Sequence, residues 1–142
     1  MTVHAPISTD YDETHWPLAI VVSETPLGSE QLQLGLRTVE EWLKRRQPFA
    51  LLLISVAAPI FQSYRDARHV LDDWIDANLQ SLHQTLLGVA IVAPDMPDLR
   101  AAMRPARFSL HIPLEVFRNG TDAAAWLQAS VLAPAGLTIN SL

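Results

Sequence analysis

The stretch Phe49-Ala50-Leu51-Leu52-Leu53-Ile54 is apolar at every position. A strand with one wet face alternates apolar and polar residues, so an unbroken run of this kind predicts a strand covered on both sides. That environment belongs to a parallel sheet sandwiched by helices. Three more runs join it. Leu18-Ala19-Ile20-Val21-Val22 is rich in β-branched residues, and Val89-Ala90-Ile91-Val92-Ala93 follows Gly88. Leu114-Glu115-Val116-Phe117, after Pro113, is shorter and weaker.

Helical spacing fills the gaps. Ser29 stands where an N-cap belongs, and Leu32, Leu36, Val39 and Leu43 then recur on one face. Lys44-Arg45-Arg46 is expected in the last turn, favourable to the helix dipole, with Pro48 as the stop. Ser63 and Asp66 form an acidic capping-box signal for a long second helix. Its inner stripe is Tyr64, Ala67, Leu71, Trp74, Ile75, Asn78, Leu79 and Leu82, while Asp72, Asp73 and Asp76 face outward. A short third helix is expected over 98–104. A last one, capped by Thr121 or Asp122, carries Ala123, Trp126, Leu127 and Val131 inward. Trp42, Trp74 and Trp126 are expected to pack in the core or at helix edges, or to be buried in a homodimer.

Four β-then-α units predict an α/β fold with a mostly parallel four-stranded sheet and right-handed crossovers. Residues 1–14 read as a loose lead-in or a fifth, edge strand. Residues 15–132 form the single domain, and 133–142 a tail.

Composition narrows the function. The chain has 142 residues and no cysteine, which excludes disulfides, thiolate nucleophiles and zinc–thiolate sites. A formal net charge of -5 disfavours nucleic acid, whose phosphates need a positive field. The start, Met1-Thr2-Val3-His4-Ala5-Pro6, lacks a basic region followed by an apolar run, so no signal peptide is expected. The longest apolar stretch, 49–60, is interrupted by Ser55 and Pro59 and falls short of the ~20 residues that span a bilayer. A cytoplasmic protein without a membrane span is the expectation.

Three segments carry a resemblance. They are Asp12-Glu13-Thr14-His15-Trp16-Pro17-Leu18-Ala19-Ile20-Val21, Gln47-Pro48-Phe49-Ala50-Leu51-Leu52 and Leu87-Gly88-Val89-Ala90-Ile91-Val92. Over about residues 12–131 the chain resembles small bacterial proteins of the SpoIIAA-like fold, shared by STAS domains and anti-sigma-factor antagonists. The resemblance implies a superhelix of β-α turns and a non-enzymatic regulatory module that binds a protein partner, or a small ligand. In the antagonists a regulatory serine starts the helix after a central strand, within an Asp-Ser-Ser-Gly-like run. The matching position is Ser63, whose surroundings, Ala58-Pro59-Ile60-Phe61-Gln62-Ser63-Tyr64, differ from that run.

In open parallel sheets, ligands bind outside the carboxyl ends of the strands. The loops there are 23–29, 57–63, 93–97 and 118–122. They supply the candidate partner or phospho-regulatory site, Ser63 with Phe61, Gln62, Asp95 and Arg118. Ser63 reads first as an N-cap. Phosphorylated, it would add about two negative charges where a helix favours them. Arg100, Arg104 and Arg107 read as solubilising charge or as a docking patch for an acidic partner.

His69 and Asp73 share a helix side, which reads as a surface pair rather than a metal site. His15, beside Trp16, reads as packing at the start of the first strand rather than as a general base. Phe61 and the segment Phe108-Ser109-Leu110-His111-Ile112-Pro113 place large apolar groups in loops, to be folded inward or left as a patch. No nucleophile elbow, phosphate-cradling loop or zinc-binding helix motif occurs, so no catalytic residue, cofactor or metal is assigned. Three functions remain open. One is an interaction module that binds a protein partner or itself. Another is a carrier or sensor of a small apolar, lipid-like ligand. The last is an enzyme whose His would approach Ser63 or Asp95.

Overall fold

The computed structural model describes residues 9–56, 61–93 and 111–140. Among these lie five strands and three α-helices: β1 (Thr9–His15), β2 (Leu18–Ser23), α1 (Ser29–Leu43), β3 (Phe49–Ser55), α2 (Tyr64–Thr85), β4 (Leu86–Val92), β5 (Leu114–Phe117) and α3 (Gly120–Trp126). The strands form one sheet in the order β1-β2-β3-β4-β5. β2 through β5 are parallel neighbours, and β1 joins antiparallel. The α/β expectation therefore holds, with a fifth strand. Residues 9–15 take the edge-strand alternative, because a tight turn at Trp16-Pro17, whose peptide bond is cis, returns the chain beside itself. The helix expected over 98–104 lies outside the described residues.

The apolar run in β3 is buried on both faces for the reason its composition suggests. Phe49, Leu51 and Leu53 turn toward α1 and α2, in one cluster with Leu32, Leu36, Val39, Trp42, Ile75 and Leu82. Ala50, Leu52 and Ile54 turn the other way, against Ala123, Leu127, Val131 and Leu132. β2 and β4 divide alike, Ala19 and Ile91 to the first cluster, Ile20 and Ala90 to the second. The period of two thus builds two cores on one sheet. Each fully buried Leu adds about 1.5–3 kcal/mol.

Several local expectations are corrected. Gly28, not Ser29, is the N-cap of α1, and its amide donates to the Gln31 side chain at 3.1 Å. Lys44, Arg45 and Arg46 follow the last turn of α1 instead of lying in it. Arg46 takes a left-handed φ of 54°, which turns the chain toward β3. Asn119 caps α3, accepting from the Asp122 amide at 2.8 Å, where Thr121 or Asp122 was expected. Gly88 does not open its strand. β4 starts at Leu86 directly after α2, and Gly88 sits inside it because a Cβ there would stand 2.8 Å from both methyls of Val131.

The stretch expected as a tail folds back. After α3 come a π-helical turn, Leu127–Leu132, and a 3-10 turn, Ala133–Ala135. Gly136, at φ 77°, then reverses the chain. Leu137 and Ile139 pack on the second cluster. The Gln128 side chain donates to the Leu137 carbonyl at 3.1 Å and accepts from the Ile139 amide at 2.7 Å.

The β1–β2 hairpin is bolted to α1 by one carboxylate. Glu13 accepts from Trp42 Nε1 at 2.8 Å and from the Arg45 guanidinium. Arg45 lies 4.3 Å over the Trp16 ring, which stacks on Phe49 at 5.0 Å. The bonds from Trp42 and Arg45 hold the Glu13 carboxyl below its usual range. Thr14, through its hydroxyl and its amide, does the same for Asp12.

Two outcomes follow. Gly88→Ala should cost about 1–3 kcal/mol in chemical denaturation, since the added methyl must displace a packed Val131. The lowered Glu13 carboxyl means that the unfolded chain binds its proton more readily. Its stabilisation is complete above the unfolded pKa and vanishes as pH falls through the folded one. Glu13→Gln should therefore flatten the acid limb of a stability-versus-pH curve, leaving the part due to Asp12; an unchanged slope would refute the assignment.

Candidate functional site

Because β2 to β5 are parallel, their carboxyl ends share one edge. Val56 N donates to the Ser23 carbonyl at 3.1 Å just past the ends of β2 and β3. Leu27 and Phe61 then pair as an isolated parallel bridge, with Gln62 N donating to Leu27 O at 2.8 Å. The loops after β2 and β3 are thus tied to each other by main-chain bonds. Phe61 is buried and stands edge-on to Tyr64 at 5.6 Å. Gln62 is exposed and Ser63 half-buried.

Ser63 does what its position predicts. It has extended backbone, and its Oγ accepts from the Asp66 amide at 3.2 Å. A phosphate there would face the Asp66 carboxylate in the first turn of α2.

Of the sequence-derived candidates, the structure gathers Phe61, Gln62 and Ser63. Arg118 is exposed at the end of β5, on the same edge but two strands from β3, roughly 10 Å along the sheet. Asp95, Arg100, Arg104 and Arg107 lie outside the described residues. Ile112 packs against the first cluster, and 94–110, with Phe108 and Leu110, lie outside the described residues. His69 and Asp73 are both exposed.

His15 Nδ1 donates to the Asn140 carbonyl at 2.8 Å, tying the C-terminal stretch to the hairpin turn. Trp42 is buried, Trp74 donates to Glu40 at 3.0 Å across α1 and α2, and Trp126 packs on Phe117. Among the described residues no three His, Asp or Glu side chains group to hold a metal ion, and no helix is long and apolar enough to cross a membrane.

Two features escaped the sequence. One is a cavity of about 110 Å³ between α1 and the sheet, lined almost wholly by apolar atoms. Its inner walls include Val21, Leu32, Leu36, Leu53, Phe61 and Ile91. Thr9 and Tyr11 of β1, with Gln31 and Gly35 of α1, complete it. Tyr11 and Gln31 reach solvent, so the cavity opens between β1 and α1. A Cβ on Gly35 would stand 3.3 Å from the Tyr11 hydroxyl, which bonds to Thr38 while burial pushes the phenol's pKa up. A glycine inside an apolar helical pattern was the available signal. The other is Val56, an apolar side chain 63% exposed beside the braced loops.

No protein-family model, curated protein or solved structure matches this chain.

Ser63→Ala should cost about 1 kcal/mol, the usual worth of a hydroxyl cap, read by denaturant titration. A loss well below that would show that the observed bond does not hold the start of α2.

Proposed function

We propose that this chain is a non-catalytic interaction module of the SpoIIAA/STAS-like kind, which binds a protein partner at the carboxyl edge of its sheet. The observation that carries this is the exposed Val56 near the Leu27–Phe61 bridge. That bridge fixes where Gln62 and Ser63 start the next helix, so these residues are already positioned for a partner. The consecutive strand order, with β2 to β5 parallel, supports the kinship, since a β-α superhelix lays each strand beside its predecessor. A second reading, a carrier or sensor of a small apolar ligand, is favoured by the cavity under α1.

A photoreactive amino acid at Val56 or Gln62 tests the first reading in cells that express the chain. Both positions should give an adduct that excess wild-type chain competes away, whereas Gln80, exposed near the far end of α2, should not. In purified protein the same experiment reports self-association. Equal labelling from Gln80, or adducts from neither edge position, would overturn the proposal.

A further inference from the structure

We infer that the cavity under α1 holds the hydrocarbon tail of a neutral single-chain amphiphile whose polar head stays at the mouth beside Tyr11 and Gln31. The inference rests on the second reading above and adds the chemical class. Size is the first argument. A dry cavity of about 150 Å³ takes a benzene molecule. The cavity here is about 110 Å³, so by the same scale it suits a tail of about four carbons. Its depth is apolar, with Val21, Leu53 and Ile91 from three strands and Leu32 and Leu36 from the helix, so a polar group placed there would lack partners.

The head is assigned by charge. Thr9, Tyr11 and Gln31 offer hydroxyl and amide groups at the open side. Among the described residues the lining includes no Lys, Arg or His. Asp10 and Asp12 alternate with Tyr11 along β1 and so fall on its other face, while α1 carries Glu30 next to Gln31 in its first turn. A carboxylate or phosphate head would find no cationic side chain among the described lining residues, whereas an alcohol, ester or amide needs none and matches the neutral hydroxyl and amide groups there. Tyr11 and Leu34 add exposed apolar surface on the same two elements, with Leu34 52% exposed.

The test titrates the full purified chain with ethanol, 1-propanol, 1-butanol and 1-hexanol, reading methyl chemical shifts by NMR. Saturable shifts should centre on Val21, Leu53 and Ile91. Affinity should rise about fourfold per added methylene, the ratio that ~0.8 kcal/mol of transfer energy gives. It should level off beyond about four carbons. Hexanoate at pH 8 should bind at least about tenfold more weakly than 1-hexanol.

Gly35→Leu and Leu53→Phe fill the cavity from opposite walls, and whichever variant folds should lose the response. The wild-type shift pattern decides the matter even if neither folds. Hexanoate binding as tightly as hexanol overturns the neutral head but leaves the apolar-ligand reading intact. If toluene saturates the same methyls while no alcohol does, the amphiphile class is wrong. If no alcohol, hexanoate or toluene gives a saturable shift, both readings fall.

Discussion

The structure depends on a sheet with no wet face through its middle. β3 presents apolar side chains in both directions, so it must be covered twice. α1 and α2 cover one face, and α3 with the π-helical turn covers the other. The second cover comes close. Val131 approaches the β4 backbone so tightly that only a glycine fits at 88. The C-terminal stretch completes that layer through Leu137 and Ile139, so the end of the chain belongs to the core.

The edge strand is held by a different kind of contact. β1 is mostly polar, and burial alone would hold it weakly. Glu13 anchors it instead, reaching the Trp42 indole and the Arg45 guanidinium at the end of α1. Trp16 then lies between Arg45 and Phe49. His15, on the other side of the turn, holds the Asn140 carbonyl. The segment Asp12–Pro17, part of the sequence resemblance, is thus occupied with structural contacts. Its acidic residues also guard an open sheet edge against pairing with another strand.

The two proposed binding surfaces trace to one topology. Parallel strands place the loops after β2 and β3 side by side, and main-chain bonds brace them. The same arrangement leaves a gap behind Phe61, between the edge strand and α1, with Tyr11 and Gly35 in its lining. Phe61 lines the cavity and belongs to the brace.

The sequence by itself determined the α/β class, the four apolar runs, the inner faces of α1 and α2, and Ser63 as a cap. These are local consequences of hydrophobic period and hydroxyl chemistry, readable within one or two turns of chain. Only the tertiary structure decided that residues 9–15 pair antiparallel and that Gly88 serves Val131. It also decided that residues 137–140 return to the hairpin, and that Gly35 and Tyr11 leave a cavity. The hairpin pairs neighbouring stretches whose polar composition hides the strand, while the others join groups distant in sequence, 125 residues apart for His15 and Asn140. No local pattern encodes such a distance, because it is set by how the packed layers meet.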